Sequence, residues 1–125
     1  MGLFGKLLGN LVGKTLGETP VPGEGKVQLP RGTVKVNYEE KRMGRSVEDS
    51  WSGIPEGLEI TLRPAGGGDP LPIDRPRGTN EYAGGGRIGS RYGDVQIPVA
   101  GEYVATVAAF EAGYELFEPH LSFKS

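Results

Sequence analysis

A chain of 125 residues with a formal net charge of −2 has length for one domain plus an appendage, and no basic footprint for nucleic acid. It holds no cysteine, which excludes disulfides, thiolate chemistry and cysteine-ligated metal. Its 22 glycines and 10 prolines cluster between short β-type runs, so they read as turns and not as a low-complexity tract.

Residues 1–17 carry two overlaid helical patterns. Leu3, Phe4, Leu7, Leu8, Leu11, Val12 and Leu16 fall at amphipathic spacing, with Lys6 and Lys14 among them. Gly5, Gly9, Gly13 and Gly17 recur every fourth residue, as a small-xxx-small ridge does. The patterns predict an amphipathic helix over 1–17 that stops at Gly17. Glycine inside a helix costs about 0.5–1 kcal/mol relative to alanine, and an isolated helix this short is marginal in water. The helix is therefore expected to form only where something covers its apolar face. A membrane surface is the leading cover. The alternatives are sister helices packed through Gly5, Gly9 and Gly13 in a homo-oligomer, a groove on a partner protein, and the chain's own body.

Lys6, Asn10 and Lys14 break up a segment already too short to span a bilayer. The order of charge and apolar run is wrong for a secretory signal, and Lys6 stands where N-myristoylation wants Ser or Thr. The expectation is a cytoplasmic protein attached peripherally to a membrane. Gly9 to Thr15 suggests a phosphate-binding loop, but Leu8 stands where that motif needs its first glycine.

Glu18 to Gly25, with two prolines and two glycines, reads as a linker between the helix and a domain over 26–125. Val27 and Leu29, then Val34, Val36 and Tyr38, alternate with polar residues around Pro30-Arg31-Gly32 and predict a hairpin. Leu58, Ile60 and Leu62 alternate as a half-buried strand. Trp51, among turn residues, is expected to lid the core. Short strands are expected at 71–74 and 87–92, and Val95, Ile97 and Val99 alternate as another. Tyr103 to Phe110 suits a strand covered on both faces, and Leu121 and Phe123 lie on a last strand. The whole reads as an all-β, antiparallel sandwich of seven to eight strands, jelly-roll or Ig-like, behind one N-terminal amphipathic helix.

Chemistry-bearing patterns are sparse. Gly84 to Gly89 matches GxGxxG by letter but lacks the following helix. His120 is the only histidine and is expected at a strand edge on the surface. Glu39 and Glu40 point to opposite faces of a strand and form no acid–base couple. No nucleophile–base pair, metal-ligand spacing or cofactor motif can be drawn, so a non-enzymatic protein without cofactor is expected. One candidate ligand site remains. Arg75, Arg77, Arg87 and Arg91, with Tyr82 and Tyr92, would form a basic, aromatic rim for a phosphate, a lipid headgroup or a sugar acid if their loops converge.

Val27-Gln28-Leu29-Pro30-Arg31-Gly32-Thr33-Val34-Lys35-Val36 and Pro55-Glu56-Gly57-Leu58-Glu59-Ile60-Thr61 resemble stretches of small bacterial β-sandwich proteins of unassigned function. Ile97-Pro98-Val99-Ala100-Gly101-Glu102-Tyr103-Val104-Ala105-Thr106-Val107 is similar to the closing hairpin of lectin-like and GOLD-like modules, where the tyrosine packs into the core. The resemblance implies a binding or adaptor module and assigns no site residues.

Overall fold

The structure is a computed structural model and describes residues 15–48 and 51–125. It is all-β, and the described residues contain no helix. Nine strands follow in order: β1 (Thr15–Pro20), β2 (Gly23–Leu29), β3 (Gly32–Lys41), β4 (Ile60–Pro64), β5 (Ile73–Asp74), β6 (Glu81–Gly84), β7 (Arg87–Ile97), β8 (Gly101–Val107) and β9 (His120–Lys124). They build two antiparallel sheets. The larger runs β1-β9-β3-β7-β5, with β6 beside β5 on the same edge of β7; the smaller runs β2-β8-β4.

Period-2 patterning explains the core. On β3, Val34, Val36 and Tyr38 are fully buried, and the polar residues between them face the other way. Leu121 and Phe123 of β9 join them from the same sheet, and Val27, Leu29, Ile60, Leu62, Tyr103, Ala105 and Val107 meet them from the smaller one. β8 alternates buried and half-buried positions, so it shows one core face and not the two covered faces that its apolar run suggested. Tyr103 is buried, and its hydroxyl donates to the Val99 carbonyl at 2.6 Å.

Three sequence expectations are corrected here. Residues 15–17 are strand, so Leu16 and Gly17 do not end a helix. Leu16 packs against the core, and a Cβ on Gly17 would lie 2.9 Å from Val27 Cγ1. That glycine lets β1 approach β2 and is not available to a helical ridge. The expected linker is strand as well, since β1 and β2 take up Glu18–Pro20 and Gly23–Gly25. The hairpin expected around Pro30-Arg31-Gly32 is instead a crossover, because β2 pairs β8 in one sheet while β3 pairs β7 and β9 in the other. Leu3, Phe4, Leu7, Leu8, Leu11, Val12, Lys6, Lys14, Gly5, Gly9 and Gly13 lie outside the described residues.

The segments expected as separate strands at 87–92 and 95–99 are one strand, β7, with a bulge. Val36 pairs with Gly93 and Asn37 with Arg91, so Tyr92 is the extra residue. The bulge shifts the alternation: Ile88, Ser90 and Tyr92 are buried before it, Val95 and Ile97 after it. Trp51 does lid one end of the core, with its ring centroid 6.2 Å from that of Tyr38.

Candidate functional site

The polar residues of the larger sheet's outer face converge beside β6. Glu18 comes from β1, Lys35, Asn37 and Glu39 from β3, Arg87 and Arg91 from β7, and His120, Ser122 and Lys124 from β9. The pairing register brings them side by side: Ser122 lies opposite Asn37 and Glu18, His120 opposite Glu39. Tyr82 of β6 stands over Gly89, and this is where the missing side chain matters. A Cβ there would sit 2.8 Å from both the Tyr82 hydroxyl and Glu39 Cγ.

Glu39 is the hub. It is 2% exposed on a face that strand alternation would give to solvent. One carboxylate oxygen takes His120 Nε2 at 3.0 Å and Arg87 Nη1 at 3.3 Å; the other takes Lys124 Nζ at 3.3 Å and the Tyr82 hydroxyl. Arg87 also reaches Glu18. Burial alone would raise the Glu39 pKa, but the hydrogen bonds from His120 and Tyr82 and the Lys124 charge outweigh it and hold it at about 2. The Glu39 hydrogen bond raises the His120 pKa against the opposing effect of burial. His120 Nδ1 donates to the Glu118 carbonyl at 3.0 Å, leaving Nε2 for Glu39. His120 is therefore no surface edge residue: β9 lies between β1 and β3, and the ring is half-buried.

Glu18, Glu39 and His120 place one donor atom each within 4.8 Å of the others, as a metal site would. Arg87 Nη1 is seated among them, 3.3 Å from Glu39 and 3.2 Å from His120, and supplies the positive charge there. The trio is satisfied by a guanidinium. With four donors on its two oxygens, Glu39 has its acceptor positions filled and no capacity left to take a proton at neutral pH.

Alongside this hub runs a cleft of about 880 Å³ lined by Lys35, Asn37, Tyr82, Arg91 and Lys124, with Asn80 and the Ala83–Gly85 turn at the rim. Asn37 is 5% exposed, and its Oδ1 has no hydrogen-bond partner among the described residues. Arg91 Nε is also buried without one, and its Nη1 is 3.9 Å from Asp94 Oδ1. Lys124 Nζ lies 5.1 Å above the Tyr82 ring.

The rim expected from the arginine-rich loops assembles only in part. Tyr82, Arg87 and Arg91 line the cleft. Arg75 and Tyr92 pair with each other instead: the guanidinium carbon is 3.8 Å from the ring centroid, and Nε donates to the Tyr92 carbonyl at 2.6 Å. Neither lines the cleft, and exposed Arg77 does not either. Lys35, Asn37, Glu39, His120 and Lys124 were not expected at the site. Their one visible signal is Asn37, a poor strand former in the middle of a ten-residue strand.

Glu40, one residue on, faces the opposite way and is also buried. Arg45 Nη1 meets it at 3.1 Å, and the Arg45 guanidinium lies between the Trp51 and Phe117 rings at 5.5 and 4.9 Å. Tyr38 and the Phe117 amide donate to the same carboxylate at 2.7 and 3.1 Å. This second buried ion pair closes an end of the core and does not reach the cleft.

No family model, curated protein or solved structure matches this chain. No helix among the described residues is long and apolar enough to cross a membrane.

Proposed function

We propose that the chain is a non-enzymatic binding module that holds a small polar ligand in the cleft on the outer face of its larger sheet. The observation that carries this reading is the cleft itself, about 880 Å³ beside the Glu39 hub and walled by the polar side chains of Lys35, Asn37, Tyr82, Arg91 and Lys124. Small ligands bind in concave sites of this size where a few polar groups converge. The saturated Glu39 argues against acid–base chemistry there and for a rigid wall. The interleaved strand order supports the jelly-roll form of the sandwich. In an Ig-like sandwich the first two strands pair in one sheet, whereas here β1 and β2 belong to different sheets. Attachment to a membrane through residues 1–17 rests on their sequence pattern, although residues 15–17 now belong to β1.

A screen of polar metabolites and short glycans, read by amide chemical shifts, tests the proposal. Ligands are expected to shift Asn37, Arg91 and Lys124, and Lys35→Glu is expected to abolish the response. A screen without hits, or with hits that map away from the cleft, overturns it.

A further inference from the structure

Resting on the reading that residues 1–14 attach the chain to a membrane, we infer that one end of the sandwich is a second lipid contact, centred on the Pro98-Val99-Ala100 turn. Three loops form this end: 30–31 between β2 and β3, 65–72 between β4 and β5, and 98–100 between β7 and β8. Arg31 and Asp69 are the only charged residues in them, and every other position is Pro, Ala, Val, Leu or Gly. Leu71 packs on the core, but Pro30, Pro70, Pro72, Pro98, Val99 and Ala100 are exposed. Contiguous exposed apolar surface of this kind marks an interaction site. Val99, at 68% exposure, is the most exposed large hydrophobic side chain among the described residues. It is also held in place. The buried Tyr103 ties the turn down through its hydroxyl bond to the Val99 carbonyl, and Gln96 Nε2 donates to Thr33 Oγ1 at 2.7 Å across the neighbouring strand ends. A tip fixed in this way loses little conformational freedom when it inserts.

What covers this end follows from where residues 1–14 join the body. Thr15 pairs with Lys124, and Lys124 with Lys35, three residues along β3 from Gly32 and the 30–31 turn. At roughly 3.3 Å per residue, the segment with the membrane pattern joins β1 about 10 Å from the apolar end. A bilayer that takes Leu3, Phe4, Leu7 and Leu11 is then within reach of Val99. The opposite end is built otherwise. Met43 and Tyr114 are exposed there, but the loops that hold them, 42–59 and 108–119, also expose Glu48, Glu56, Glu111, Glu115 and Glu118. Burying such charges in an apolar medium is costly, so that end stays in water. One cation against one acid gives the apolar end no preference for lipid charge, and neutral and anionic bilayers should serve alike. The sandwich would stand with its strands steep to the bilayer, and the cleft, on a side face, would remain open to solvent.

Because the chain has no cysteine, a polarity-sensitive fluorophore can be placed at a single position. The full chain is mixed with vesicles of phosphatidylcholine, alone or with phosphatidylserine. The label on Val99→Cys is expected to shift to the blue, and the label on Tyr114→Cys to stay unchanged. Val99→Asp is expected to weaken vesicle binding of the full chain about tenfold, the scale of one inserted apolar side chain, with an unchanged melting profile. A label at position 99 that stays in water, a label at position 114 that shifts equally, or a Val99→Asp chain that binds like the wild type overturns the inference, while attachment through residues 1–14 stands. No binding by the full chain overturns that attachment and the inference together. A blue shift at position 99 that appears without vesicles, as protein concentration rises, assigns this end to a second copy and overturns the lipid contact.

Discussion

The Glu39 carboxylate is ionised inside the protein because four side chains surround it, and this makes stability depend on pH from both sides. Its folded pKa of about 2 lies below the model-compound value of 4.5, so its contribution is present above pH 4.5 and is lost as pH falls toward 2. A depression of that size corresponds to about 3 kcal/mol, shared with the partners that cause it. His120 acts in the opposite sense. Its pKa is raised from 6.5, so its contribution is complete below pH 6.5 and is lost as pH rises through the folded value. Thermal melts from pH 3 to pH 9 are expected to peak between these limits. His120→Gln should flatten the alkaline limb and also shrink the acid limb, since the His120 hydrogen bond is foremost among the effects that hold the Glu39 pKa low. Glu39→Gln should flatten both, and it should lower Tm by roughly 10 °C at pH 6, since removing one partner of a buried ion pair strands the others. A wild-type profile without an alkaline limb between pH 6.5 and 9 would show that the imidazolium is not held by Glu39.

β6 meets β7 closely enough for Tyr82 to reach Glu39 only because position 89 lacks a side chain. In Gly89→Ala the new methyl would lie 2.7 Å from the Tyr38 carbonyl oxygen and 2.8 Å from the Tyr82 hydroxyl, and backbone cannot yield as a flexible side chain does. The expected result is destabilisation of about 2 kcal/mol with faster hydrogen exchange along Glu81–Gly84, read by exchange mass spectrometry. Unchanged exchange there would mean that the outer face tolerates the methyl and that β6 is not held through this contact. The same element shows what sequence could and could not reveal. Alternation at Val34, Val36 and Tyr38 identifies β3, and Leu121 and Phe123 identify β9, because one face of each is core. The bulge at Tyr92 shifts the parity of β7 and makes one strand look like two. Glu18 to Gly25 reads as linker because local Pro and Gly chemistry says nothing of the long-range partners, β9 and β8, that turn it into strand. The site was hidden for a related reason. Lys35, Asn37 and Glu39 have the pattern of any solvent face, and only the meeting of β1, β3, β6, β7 and β9 turns that face into a cleft.

At the scale of the molecule, strand begins earlier than the expected plan of helix, linker and domain places it. Because β1 starts at Thr15 and Leu16 packs on the core, the proposed docking segment is narrowed to residues 1–14. Leu3, Phe4, Leu7, Leu8, Leu11 and Val12 remain in that stretch, with Lys6 and Lys14 as its only charged side chains. Full burial of a large apolar side chain contributes roughly 1.5–3 kcal/mol, and two lysines add little attraction to anionic lipid, so adsorption through these residues should be reversible and only weakly salt-dependent. Flotation with vesicles of neutral and of anionic lipid is the check, comparing the full chain with a chain shortened to begin at Thr15, which keeps all of β1. The full chain is expected to float with both vesicle types and the shortened one with neither, while both give the same melting profile. Equal flotation of the two chains, or none by either, removes the membrane as the cover for those apolar side chains. A shift of the full chain alone to a larger species in light scattering, without flotation, would instead assign those side chains to contact with a second copy.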